Sequence, residues 1–158
     1  VKKITSFTID HLRLLPGVYV SRQDRAGGYP VTTFDLRVTR PNAEPVMSTG
    51  EAHAIEHLAA TYLRSHAAFG DRILYFGPMG CRTGFYLLLS GDFSPEAVLP
   101  LLTEAFTFIR DFTGEIPGAS ARDCGNYTDM DLPGARARAT RYLEVLRNPG
   151  EENLRYPQ

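Results

Sequence analysis

Two cysteines and four histidines are the scarce reactive residues of this 158-residue chain. Two of the histidines fall in one string, His53-Ala54-Ile55-Glu56-His57-Leu58. Four residues apart on a helix, His53 and His57 project from one face and can share a metal ion. At about 100° per residue, Glu56 lies within roughly 60° of His53 on that same face. Ile55, Leu58 and Tyr62 cluster on the other side, so a helix here buries an apolar stripe and turns His-Glu-His toward a cleft. Two imidazoles and an adjacent carboxylate suit metal-assisted proton chemistry. A catalytic metal usually has three protein ligands and one open position. Cys124, in Asp123-Cys124-Gly125-Asn126-Tyr127, is the candidate third ligand, a loop thiolate followed by a glycine that permits a tight bend. Cys81 has a different setting, with Gly80 and Gly84 on either side and Arg82 next to it. A nearby cation or metal would lower its pKa and make it a usable acid/base or nucleophile. The plain alternatives are two solvated histidines and a pair of inert thiols.

The elements that must hold these residues are readable in outline. Ser48 and Glu51 have capping-box spacing, which predicts a helix from Glu51 to about Ala67. Gly17-Val18-Tyr19-Val20-Ser21 reads as a short strand, followed by a turn over Arg25-Ala26-Gly27-Gly28-Tyr29-Pro30. Thr33 to Thr39 alternates with period two, so Phe34, Leu36 and Val38 face a core while Asp35, Arg37 and Thr39 face the other side. Ile73–Phe76 and Phe85–Leu89 are further strands, joined by the Gly/Pro-rich stretch 77–84 that carries Cys81. Ser94-Pro95 opens a second helix with an N-cap and a first-position proline. Pro100 falls early in it, where a missing amide can kink a helix. Residues from about Thr113 to Met130 form a long loop holding Cys124, and a last helix starts near Pro133 behind Asp131. Strands and helices come mixed rather than alternating, which gives an α+β class with an antiparallel sheet packed by helices.

Composition narrows the context. The length suits one domain spanning 1–158, and 43% hydrophobic with 22% charged residues is ordinary globular composition. Seventeen Lys+Arg against 18 Asp+Glu leaves a net charge of -1, with no basic field for a phosphate backbone, so nucleic acid is not an expected partner. No stretch approaches the ~18 apolar residues of a membrane-spanning helix, and no signal peptide follows the opening Val-Lys-Lys-Ile-Thr-Ser. A soluble cytoplasmic protein with both thiols reduced is the expectation.

Taken together, three strings in this order resemble S-ribosylhomocysteine lyase, the LuxS family of bacterial enzymes. They are His53-Ala54-Ile55-Glu56-His57-Leu58, Gly77-Pro78-Met79-Gly80-Cys81-Arg82-Thr83-Gly84-Phe85-Tyr86 and Asp123-Cys124-Gly125-Asn126-Tyr127. Ser6-Phe7-Thr8-Ile9-Asp10-His11 and Phe34-Asp35-Leu36-Arg37 extend the resemblance over nearly the whole chain. It implies a fold shared with inverzincin-type metallopeptidase domains. It also implies His53, His57 and Cys124 as ligands of one divalent metal per subunit, natively ferrous iron, with zinc or cobalt as substitutes. Glu56 and Cys81 are implied as the general acid/base pair, and Ser6, His11 and Arg37 as substrate contacts. The implied reaction splits S-ribosylhomocysteine into homocysteine and 4,5-dihydroxy-2,3-pentanedione, the autoinducer-2 precursor, in a homodimer with active sites at the subunit interface. The near-neutral charge suits such a small zwitterionic substrate. One departure stands out. Many members have Asp-Ile-Ser where this chain has Tyr75-Phe76-Gly77, so a contact made by that Asp side chain does not carry over.

Two other readings use the same residues. His-x-x-Glu-His is also the inverzincin metallopeptidase order. In that reading Glu56 activates a water, Glu104 or Glu115 is the third ligand, and both cysteines stay idle. A non-catalytic metal-binding domain would instead close the site with four ligands, adding Cys81 or His11. His11 alone reads as a structural histidine, and His66 as one that meets the carbonyls at a helix end.

Overall fold

In the computed structural model, which describes residues 1–158, four strands form one sheet: β1 (Gly17–Ala26), β2 (Tyr29–Arg37), β3 (Ile73–Pro78) and β4 (Gly84–Ser90). Their order is β1-β2-β4-β3, with every neighbouring pair antiparallel. The register sets Phe34 opposite Leu87 and Leu36 opposite Phe85. These four are fully buried, and they share one core with Ile55 and Leu58 of α1 (Thr49–Arg64), Leu102 and Phe106 of α2 (Pro95–Asp111), and Leu143 of α3 (Leu132–Arg147). Burying each such side chain contributes about 1.5–3 kcal/mol. The helices therefore cover one sheet face, in an α+β arrangement as the mixed pattern predicts. None of them is long and apolar enough to cross a membrane.

The caps form as read. Ser48 Oγ accepts from the Glu51 amide at 3.0 Å, and Glu51 Oε2 accepts from the Ser48 amide at 2.7 Å. Ser94 caps α2, and Asp131 caps α3 by accepting from the Gly134 amide at 2.9 Å. α2 runs through Pro100 without a break. Between α2 and α3 no regular element forms, so the chain around Cys124 is free to follow the side of α1.

Two strand expectations need correction. β1 continues to Ala26 and β2 begins at Tyr29, so only Gly27 and Gly28, both at positive φ, make the turn. The polar run Arg22-Gln23-Asp24-Arg25 pairs with Pro30–Thr33 as an edge strand, exposed on both faces, and so shows no apolar alternation. The second face of β2 is not open to solvent either. Asp35 and Arg37 are 1% and 3% exposed, with Tyr156 from the C-terminal segment and Ser6 and His11 from the N-terminal segment gathered on that face rather than helices.

Candidate functional site

α1 is anchored by Ile55 and Leu58, which leaves His53, Glu56 and His57 half-buried beside the loop between α2 and α3. The two imidazoles meet edge to face with centroids 4.8 Å apart. Nδ1 of His53 lies 2.9 Å from the Asp129 carbonyl, and Nδ1 of His57 lies 2.8 Å from that of Pro117. A carbonyl only accepts, so each Nδ1 carries the ring proton and each Nε2 offers a lone pair. Cys124 Sγ sits 3.4 Å from His53 Nε2, and the ligand atoms of His53, His57 and Cys124 all lie within 4.8 Å of one another. Nitrogen and sulfur on one tetrahedral zinc-sized ion stand about 3.6 Å apart, so this donor set fits a single metal ion.

Local structure explains why the triad converges. The Cys124 amide donates to the Ser120 carbonyl at 3.0 Å, and Ser120 Oγ accepts from the Asp123 amide at 3.2 Å. The Asn126 amide points at Sγ from 3.5 Å. Gly118 has φ +76, and a Cβ there would lie 3.2 Å from His57 Nδ1. The turn that brings the Pro117 carbonyl to His57 therefore needs a glycine. Glu56 makes no hydrogen bond or ion pair, so its carboxylate is uncommitted.

The remaining predicted residues gather elsewhere. A cavity of about 340 Å³ is lined by Ser6, His11, Arg37 and Cys81 together with Asp35, Tyr86 and Tyr156. It opens on the sheet face that carries Asp35, Arg37 and Tyr86, opposite the face that the helices cover. His53, Glu56, His57 and Cys124 do not line it. Arg37 is held bidentately by Asp35, at 3.0 Å from Nε and 2.6 Å from Nη2. Its Nη1 donates to Thr83 Oγ1 at 2.7 Å and reaches Cys81 Sγ at 3.8 Å, and Thr83 Oγ1 is 3.1 Å from that sulfur. Partial burial opposes ionisation of the Cys81 thiol, but hydrogen bonds from the Thr83 hydroxyl and amide, with the Arg37 charge, outweigh it. The thiol is held below the ordinary range. His11 Nδ1 is tied to the Ile9 carbonyl at 2.9 Å, which leaves Nε2 available.

Several expectations resolve differently. His66 meets amides rather than carbonyls: its Nδ1 accepts from Ala68 and Phe69, and Nε2 pairs with Glu104 at 3.1 Å. Glu104 is also taken by the Tyr62 hydroxyl, and the group that completes a triad with the two histidines is Cys124, as against Glu104 or Glu115. Both cysteines are free thiols. At the departure from the family string, Tyr75 lies over Gly77, where any β-carbon would run into the tyrosine hydroxyl. Asp35, Thr83 and Tyr156 were not picked out from the sequence. Asp35 had a signal, since it is two residues before Arg37 on one strand face; Tyr156 had none.

The sequence model of the S-ribosylhomocysteinase (LuxS) family matches residues 4–152. The chain is similar to the S-ribosylhomocysteine lyase of Clostridium beijerinckii, 60% identical over 158 residues and covering 99% of both chains. It is 56% identical to that of Clostridium acetobutylicum over the full length of both. Its identity to that of Borrelia garinii subsp. bavariensis is 48% over 157 residues, 99% of this chain and all of the relative. Similarity of this extent, on a chain that folds two histidines of its His-x-x-Glu-His helix and its second cysteine into a cluster that could hold a metal ion, shows that the chain belongs to the S-ribosylhomocysteinase (LuxS) family.

Proposed function

We propose that residues 1–158 act as a single lyase domain that converts S-ribosylhomocysteine to homocysteine and 4,5-dihydroxy-2,3-pentanedione in the cytoplasm. The observation that carries this reading is the placing of the Cys81 thiol beside Arg37 and Thr83 in a cavity shared with Ser6 and His11, in a chain that also brings His53, His57 and Cys124 together. The complete site forms in a homodimer, where the ligand set and Glu56 of one subunit face the thiol cavity of its partner. Two observations support this. The clusters belong to opposite sides of one sheet, and Ile4, Phe7 and Leu12 near the cavity are large apolar side chains left exposed.

The thioether breaks by β-elimination only when a carbonyl stands beside the carbon that loses its proton. The ribose carbonyl must therefore migrate from C1 to C2 and on to C3. Each migration takes a proton from one carbon and returns one to its neighbour. Cys81, as thiolate, accepts a proton from the sugar; Arg37 and Thr83 hold the thiolate while it waits. Glu56, uncommitted on its helix, exchanges protons with the sugar oxygens and the adjoining carbon. Ser6 and His11 orient the ribose hydroxyls. Held by His53, His57 and Cys124, a divalent metal (ferrous iron natively, with zinc or cobalt as substitutes) would supply Lewis-acid stabilisation of the developing oxyanion. In the last step a proton leaves C4, the C5–S bond breaks, and homocysteine departs with a proton returned to its sulfur. The test is to incubate the metal-loaded protein with S-ribosylhomocysteine and assay free thiol. Thiol release is expected; none, at full metal content, overturns the reading.

A further inference from the structure

We infer that Tyr156 is a positioning residue for Cys81, acting through Asp35 and Arg37. It lies outside the residues 4–152 that the family match covers, and no motif marks it. Its hydroxyl donates to Asp35 Oδ2 at 2.8 Å. The ring stacks on Tyr19 with centroids 4.8 Å apart and planes 8° from parallel. Tyr19 is itself fixed, since its hydroxyl donates to the carbonyls of Leu15 and Glu152 at 2.8 and 2.9 Å. The segment on either side is tied down as well. Leu154 is buried, Arg155 pairs with Glu96 at 2.5 Å, and Arg13 donates to the Gln158 carbonyl.

The consequence runs inward from this strap. The Asp35–Arg37 pair is almost wholly buried, with side chains 2% and 3% exposed. A buried carboxylate needs its lone pairs satisfied, and truncating one partner of such a group leaves an uncompensated charge. Arg37 donates once to each oxygen of Asp35, and Tyr156 adds a second donor to Oδ2. Burial first, and Asp35 second, push its phenol far above the ordinary range, so the hydroxyl stays a donor at every working pH. Without that donor, the Asp35 charge is less compensated and draws the guanidinium toward itself. Both changes make the surroundings of the sulfur more negative. Within the subunit the titratable groups facing Cys81 are Arg37 and Asp35 from β2, Tyr86 from β4, His11 from the N-terminal segment and Tyr156 itself; in the proposed dimer the other subunit's ligand set and Glu56 face it too, and of all these only Tyr156 is changed by the variant below.

The inference rests on Cys81 being an acid/base group, but its test does not need turnover. In metal-loaded Tyr156→Phe, which keeps the stack on Tyr19, alkylation of the Cys81 peptide by iodoacetamide is followed against pH by mass spectrometry. The midpoint moves up by about half a pH unit or more, so alkylation below the midpoint slows about threefold, and kcat falls by a similar factor with KM little changed. In an Asp35→Asn background, Tyr156→Phe has no further effect on the midpoint, because the carboxylate charge that the hydroxyl compensates is gone. An unmoved midpoint in the folded Tyr156→Phe protein overturns the inference, as does a raised KM with the midpoint unmoved, or a midpoint change that persists in the Asp35→Asn background. Loss of lyase activity in the parent protein with the expected change in alkylation midpoint would instead sink the proposed reaction and leave the positioning role standing.

Discussion

Nη1 of Arg37 stands 3.8 Å from the Cys81 sulfur, while the other edge of the guanidinium is gripped by both oxygens of Asp35. The cation beside the thiol is thus fixed in place, unlike the mobile charge of a surface arginine.

That relationship sets a pH dependence. The Cys81 pKa is depressed, so its thiolate persists to lower pH than an ordinary thiol and is lost as pH falls through the depressed value. In Arg37→Gln the value rises, and the acidic limb of the rate profile moves to higher pH. At a fixed pH below the midpoint, alkylation of Cys81 slows about tenfold for every pH unit by which the midpoint rises.

The two cysteines separate by metal content. Cys124→Ala loses the bound metal, whereas Cys81→Ala keeps full stoichiometry by elemental analysis and loses turnover. Retention of metal in Cys124→Ala would remove it from the ligand set.

Subunit sharing has its own signature. Cys81→Ala and His57→Ala proteins, each inactive, recover activity when unfolded and refolded together, because one site of each mixed dimer then has both an intact ligand set and an intact thiol. Mixtures with no activity would place both halves of the site in one subunit.

Gly118 carries the positive φ that sets the Pro117 carbonyl against His57. Gly118→Ala costs about 1 kcal/mol or more in backbone strain, and disturbing the imidazole's carbonyl partner lowers metal affinity on the order of tenfold. Thermal melting and competition with a metal chelator measure the two effects.

Ser48→Ala tests the cap alone. Loss of the Ser48 Oγ acceptor for the Glu51 amide destabilises the protein by about 1 kcal/mol, read in a denaturant titration. Metal stoichiometry is unchanged, since His53 and His57 lie beyond the first turn.

Legibility in the sequence followed the range of the interactions. The caps at Ser48, Ser94 and Asp131 were readable because each bond closes within three residues. The pairing of His53 with His57 was readable because helix geometry fixes it. The edge half of β1 escaped, since Arg22–Arg25 contact solvent on both faces and carry no period. The setting of Arg37 was half readable: alternation put it off the helix-packed face, but its burial depends on Tyr156, which comes more than a hundred residues later. Thiol chemistry and the family resemblance mark Cys124 as a candidate ligand. Its closeness to His53 depends on the path of an irregular loop, which no local pattern encodes.

That loop orients the imidazoles through the main-chain oxygens of Pro117 and Asp129, not through side chains. Every amino acid has such an oxygen. Replacement of either residue leaves the acceptor in place as long as the trace of the chain survives, so the information that sets both tautomers lies in a path. The loop is therefore free to drift in composition at these two positions, while insertions or deletions between them would disturb the His53, His57 and Cys124 cluster at once.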